Sequence, residues 1–349
     1  IALMITSYTL SLFFRPQIRV KRFLPDPPSA GEECIYQVAV QNTGKKPIRN
    51  IAVYEGLLPF GIYAHLKSPH FQNTIDWLEP GEKKEVTLVI KTPYRGVYEL
   101  PNLVVGTSFP SGLMRTLVKK KTQQKLIVYP RFVTQTHFSL KHRHLFLPGG
   151  IVESSKVGNS DEFLSTREFK TGDRLRDVHW PSTARASKLI VKEYIEEFVV
   201  RIGVVLDTHF PKKEKDEYFE SRISLTAGII DALLRSNFHL DLFTSNPKLQ
   251  HIPNLNNQLE FFLEILSFLE GDNKVSFKGL TRELEGKINH FSSLIIVLST
   301  WDKNRETFIQ SLKKYGLQIR VLIINDQFKN TPPDEYTIIA PEDVQTLIT

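Results

Sequence analysis

The 349-residue sequence holds one cysteine, Cys34, and two methionines. A single cysteine excludes an intramolecular disulfide framework and a thiolate-rich zinc site. Signatures of several enzyme classes are missing too. There is no G-x-x-x-x-G-K-[ST] loop to cradle phosphates and no G-x-S-x-G elbow to expose a serine nucleophile. Ser, His and Asp residues occur, but no spacing gathers them. Cys34 lies in a predicted strand, where a small buried hydrophobe is the simpler reading than a nucleophile. After the first fourteen residues no apolar run reaches the ~20 residues that span a bilayer. These absences point to a protein that is not an enzyme and carries no cofactor.

What is present is a folded chain of ordinary composition. Hydrophobic residues make up 41% and charged residues 24%, which excludes long-range disorder, collagen and coiled coil as the main plan. The length suggests about two domains of ~100–200 residues each. Charge is uneven. Residues 1–200 hold 28 Lys and Arg against 18 Asp and Glu, whereas residues 201–349 hold 17 against 20. A basic half could serve nucleic acid, but a surface beside an anionic membrane explains it as simply, and no nucleic-acid partner is expected.

The N-terminus favours the membrane. Ile1–Phe14 carries no charge. As a helix it would cover ~21 Å, less than the ~30 Å of a bilayer core. It reads as the end of a transmembrane helix whose start precedes the sequence, with a buried amphipathic segment as the alternative. Arg15, Arg19, Lys21 and Arg22 follow, and basic residues after a span mark its cytoplasmic side. The expectation is therefore an inner-membrane protein with its main domains in the cytoplasm. Pro25-Asp26-Pro27-Pro28 reads as a stiff lead-in from the membrane.

Residues 15–130 show an all-β rhythm. Short runs at Cys34–Val40, Ile48–Tyr54, Val86–Lys91, Val97–Val104 and Lys125–Tyr129 are separated by turn clusters such as Asn42-Thr43-Gly44 and Glu79-Pro80-Gly81-Glu82. This predicts an immunoglobulin-like β-sandwich, without the Cys pair or core Trp of an antibody domain. From about Phe198 the rhythm becomes β-α-β. Predicted strands at Val199–Leu206 and Leu294–Leu298, both fully buried, and at His239–Phe243 and Val321–Ile324 alternate with helices at Ile223–Leu234, Leu255–Leu269 and Arg305–Tyr315. Residues 198–349 are thus expected to form a doubly wound α/β domain around a parallel sheet. Ligands of such sheets bind at the carboxyl ends of the strands, here Asp207-Thr208-His209 and Ser299-Thr300-Trp301-Asp302. Residues 131–197 connect the two. His137, His142 and His144 in that stretch read as a basic loop, since no further metal ligand or supporting partner is identifiable.

Within the connection, Glu162–Glu197 is dense in charge yet punctuated by large apolar residues. Arg167, Arg174, Arg176 and Arg185 stand near Glu168, Asp173 and Asp177, and arginine forks suit bidentate pairing with carboxylates. Trp180 offers one large anchor. The residues support an ordered ion-pair network around a buried Trp180, with a docking or anion-binding surface as the alternative.

This segment resembles the signature of the bacterial "domain of unknown function 58" family. The matching residues are Phe163, Arg167, Glu168, Phe169, Gly172, Asp173, Arg176, His179, Trp180, Ala184, Arg185, Val191, Lys192 and Glu193. Arg174 and Thr183 depart mildly from the pattern. Tyr94-Arg95-Gly96-Val97-Tyr98 is similar to the family's Arg-Gly-x-Tyr strand, and Phe109-Pro110-Ser111-Gly112-Leu113 resembles its Asp-Pro-Phe-Gly-Leu turn. The resemblance implies a membrane-anchored protein with a β-sandwich and a von Willebrand factor A-like C-terminal domain. It also implies an adaptor or protein-interaction role beside a MoxR-type AAA+ ATPase and other membrane proteins. Domains similar to von Willebrand A often hold Mg²⁺ through Asp-x-Ser-x-Ser, a distant Thr and a distant Asp. Here Asp207 fits the first position, His209 and Pro211 replace the serines, Thr226 could lie nearby, and Asp302 could be the distant carboxylate. That set is degenerate, so no metal site is expected and Asp207 should cap a turn or pair with a base. The rival from another class is a metal-dependent hydrolase or ligand-binding enzyme using Asp207 and Asp302.

Overall fold

A computed structural model describes residues 5–7, 9, 16–109, 111–132, 163–171, 173, 175–194, 201–210, 216–236, 238–246, 251–252, 258–271, 277–325 and 331–346. Among them no helix is long and apolar enough to cross a membrane. Most of the segment 1–14 lies outside the described residues, as do Gly172, Arg174, His137, His142 and His144.

The N-terminal half is an immunoglobulin-like β-sandwich. One sheet has the order β1 (Ile18–Phe23), β2 (Glu33–Asn42), β6 (Lys83–Lys91), β4 (Tyr63–Ala64). The other runs β5 (Thr74–Leu78), β3 (Ile48–Tyr54), β8 (Leu103–Thr107), β9 (Thr116–Lys120). A further antiparallel pair joins β7 (Gly96–Leu100) to β10 (Gln124–Val128). Alternate side chains turn inward, as a two-residue period requires. Cys34, Tyr36, Val38 and Val40 from β2 meet Ile51 and Val53 from β3 and Val105 from β8 in one buried cluster. Pro101, which has no amide proton for a ladder, falls in the gap that splits the run expected over Val97–Val104 into β7 and β8.

Two N-terminal expectations change. Arg19, Lys21 and Arg22 belong to β1, which pairs with β2 from Ile18↔Asn42 to Phe23↔Gln37. Arg22 is not a juxtamembrane cation: its side chain is fully buried and pairs with Glu55 at 2.6 Å. It also donates to the carbonyls of Thr122 and Pro101. Pro25-Asp26-Pro27-Pro28 consequently links two strands of the sandwich rather than leading in from elsewhere.

The C-terminal half is α/β. Its six-stranded sheet has the order β15 (His251–Ile252), β14 (His239–Thr244), β13 (Arg201–Leu206), β16 (Ser293–Leu298), β17 (Gln318–Ile324), β18 (Thr337–Ile339). All neighbours are parallel except β14 and β15. Between 163 and 194 lies a small unit: β11 (Phe163–Glu168), α1 (Trp180–Ala186) and β12 (Ile190–Tyr194). The larger helices are α2 (Asp216–Arg235), α3 (Leu259–Phe268), α4 (Phe277–Glu285), α5 (Lys303–Lys313) and α6 (Pro341–Thr346). The continuous apolar runs of β13 and β16 are buried on both faces, as parallel strands under helices must be. Val204 and Leu206 pack with α2 and α3, whereas Val205 and Leu298 pack with α4 and α5. Gly316 ends the α5 region in a left-handed conformation (φ 71°), where glycine carries no Cβ penalty.

Arg95 locks the two halves together. From the turn between β6 and β7 its guanidinium reaches the last turn of α3. Nη1 donates to the carbonyls of Leu266 at 2.7 Å and Leu269 at 2.9 Å. Nε pairs with Glu220 of α2 at 2.9 Å. Carbonyls at a helix C-terminus have no partner within the helix, so one side chain of the sandwich completes a helix of the α/β half.

Candidate functional site

Two places concentrate chemistry: the carboxyl edge of the α/β sheet and the unit formed by residues 163–194.

The chain runs from β13 outward to β14 on one side and later places β16 on the other. The crevice between the ends of β13 and β16 is therefore the topological switch point, where α/β sheets bind ligands. Asp207 follows β13 there and is completely buried. Its Oδ1 accepts from the His209 amide at 2.9 Å and lies 3.4 Å from the Ser245 hydroxyl. Its Oδ2 accepts from the Ser299 amide (3.0 Å), the Ser299 hydroxyl (2.6 Å), and Nε (2.9 Å) and Nη2 (2.7 Å) of Arg305. Burial alone would push this carboxyl up. The charges of Arg305 and Arg222 and the hydrogen bonds from Ser299 outweigh it and hold the group at about 2.

Asp302 is the N-cap of α5, accepting from the Arg305 amide at 2.9 Å, the role for which Asp is favoured. Its second oxygen accepts from Arg305 Nη1 at 2.5 Å. The guanidinium thus bridges both carboxylates. It is buried and lies 5.3 Å from the centre of the Phe277 ring. Thr226 is buried, and its hydroxyl donates to the Arg222 carbonyl one turn back in α2. Arg222, also fully buried, donates to the His209 carbonyl at 2.8 Å. A cleft of about 560 Å³ opens over α4 and the start of α5, with His209, Arg282, Asp302 and Asn304 on its wall. Among the described residues no group of three or more His, Cys, Asp or Glu side chains could hold a metal ion.

The structure brings Asp207 and Asp302 together through a residue whose part the sequence did not reveal, Arg305. Its signal is an Asp-x-x-Arg spacing at a helix start, which lets the side chain fold back over the cap. Arg222 left a clearer mark, as a cation on the apolar face of α2.

The second place is built on a hairpin. β11 pairs with β12, and Val178 and Val191 form its small buried centre through an isolated bridge. Arg167 grips Asp173 with two parallel bonds of 2.7 and 2.9 Å. That hydrogen bonding, with the Lys170 amide second, brings the Asp173 carboxyl down to about 2. Glu168 meets Lys188 at 3.1 Å, and Arg176 lies 3.7 Å from Asp177. His179 precedes α1 and shares a 2.7 Å contact with Ser182. Thr183 accepts from the Ile190 amide at 3.0 Å and fastens α1 to β12. Lys192 and Glu193 follow on β12.

Trp180 corrects the expectation of a buried anchor. Trp180 opens α1 and is 65% exposed, and Leu175 is 69% exposed. α1 buries none of its residues, and Ala184 and Arg185 are exposed on it. The physical reason is local. Positions three and four after Trp180, where a helix supplies neighbours, hold Thr183, which is engaged with β12, and the small Ala184. Neither of these two positions supplies a large apolar side chain to pack on the ring.

No family model matches the sequence. An uncharacterised protein of Bacillus subtilis (strain 168), YeaD, is 26% identical over 144 residues, 41% of this chain and 34% of that protein. The match thus spans about a third of that relative's length. Among solved structures, the chain is similar to a PapD-like domain of human CEP192 at 13% identity and TM-score 0.23, covering 32% of this chain and 85% of that one. It is also similar to the CARDB domain of the PF1109 protein from Pyrococcus furiosus at 18% identity and TM-score 0.21, covering 32% and 88%.

Proposed function

We propose that this protein is a non-enzymatic, membrane-anchored adaptor. Its β-sandwich is a spacer, its α/β half a von Willebrand A-like head, and the unit at 163–194 the face presented to a partner. The exposure of Trp180 carries the reading. Isolated surface apolars need no explanation, but a small unit that exposes a Trp together with Leu175 and Leu189, and also Arg176, Arg185 and Lys188, has the composition of an interface. The uncharged run at the N-terminus supports anchoring, and a MoxR-type AAA+ ATPase is the partner implied by the family resemblance.

The test is cross-linked capture from membranes using the full chain. Trp180→Ala/Arg185→Ala should melt within about 1 kcal/mol of the parent, as exposed changes do. It should lose a partner captured by the parent, since truncating a central aromatic anchor costs at least about 2 kcal/mol of binding. Undiminished capture of the ATPase by the double variant overturns the proposal.

A further inference from the structure

We infer that Arg305 is a tethered cation, doing at the switch-point crevice what a hard divalent ion does between converging carboxylates, and that this side chain closes the crevice to Mg²⁺. The inference is independent of the adaptor reading.

Asp207 and Asp302 reach one crevice from two different strand ends; the Asp207 side chain is fully buried whereas that of Asp302 is 41% exposed, and a buried anion requires a compensating cation. A divalent hard ion would need about six oxygen ligands. The residues do not fit that demand. Both oxygens of Asp207 and both of Asp302 already receive donors. Three of those donors are backbone N–H groups, those of His209, Ser299 and Arg305, whose dipoles would oppose a metal ion at the same oxygens. The Ser299 hydroxyl, which donates to Asp207 Oδ2, also accepts from Arg305 Nη2 at 2.7 Å. The charges balance without any added ion: two carboxylates, Asp207 and Asp302, face two guanidiniums, Arg305 and Arg222. Because Arg305 sits on the first turn of α5, three residues after Asp302, its cation cannot diffuse away. The join between β13, β16 and α5 is then the same at every divalent concentration.

Thermal unfolding of the full chain tests this. The parent should show no shift with millimolar Mg²⁺ or Mn²⁺. Arg305→Ser should lower the Tm by about 6–12 °C, the loss expected when one partner of a buried pair is removed. It should then recover part of that loss with Mn²⁺ or Mg²⁺, because ions that bind only the native state stabilise it. Asp207→Asn/Arg305→Ser should show no recovery. If Arg305→Ser does not fold, Arg305→Lys decides: a folded variant indifferent to metal supports the inference, and one stabilised by metal overturns it. The inference also fails if the parent is stabilised by Mg²⁺ and loses that response in Asp207→Asn, or if folded Arg305→Ser ignores both ions.

Discussion

At the residue scale the dominant fact is a carboxylate kept charged where no water reaches it. Asp207 stays ionised because Arg305, Arg222 and Ser299 supply more than burial removes. Its folded carboxyl lies at about 2, below the ~3.9 of an unfolded Asp. The stability it contributes is therefore complete above about pH 4 and is lost as pH falls through 2. Asp207→Asn should cost about 3–5 kcal/mol near neutral pH, because it strands a buried guanidinium. Urea midpoints read this directly. The gap between parent and variant should narrow between pH 4 and pH 2, and a gap unchanged over that range would mean the charge is not what holds the join. Asp207 and Asp302 were legible as residues ending buried strands. Their bridge was not, because a sequence does not say whether an arginine one turn into a helix points outward or folds back.

At the element scale, legibility followed the apolar pattern. β13 and β16 carry apolar runs that were readable as strands buried on both faces, whereas in β17 Gln318 and Arg320 precede the apolar run Val321–Ile324. β1 was hidden because Arg22 stands at an inward position and Phe23 at an outward one, while Arg19 and Lys21 keep the alternation; the burial of Arg22 against Glu55 is a tertiary event. α4 was missed although Phe277, Leu280 and Leu284 repeat at helical spacing and are buried; nine residues give a periodic signal too short to stand alone. α1 shows the reverse error. Its Trp reads as core because aromatics bury most of their surface on average, yet none of the residues of α1 is buried. Trp180→Ala should accordingly cost well under the ~3–5 kcal/mol of a buried aromatic.

At the scale of the whole molecule, the sandwich and the α/β half are joined through α3. Arg95→Ala removes the bonds to the carbonyls of Leu266, Ser267 and Leu269 and the pair with Glu220. Bonds to a charged donor are worth about 1.5–3 kcal/mol, and neither hydrophobic core is touched. Calorimetry should therefore show one transition of the parent resolving into two in the variant. Arg95→Lys should fall between them, since an ammonium keeps the charge but not the planar fork. A single unshifted transition in Arg95→Ala would show that the halves are coupled elsewhere.

Cys34 gives this molecule a clock. The thiol sits in β2, paired opposite Ile90 of β6, with 1% of its surface exposed. Burial first, and the charge of Glu55 second, push it up to about 11. A maleimide cannot react with it until the sandwich opens, so alkylation should run at least ~100-fold slower than for an exposed thiol and should count opening events. No other cysteine competes with that signal. The rate measured along a urea series would time the loss of the sandwich alone while the α/β half stays silent. Repeated in Arg95→Ala, it would show how far the α/β half slows the breathing of the sandwich.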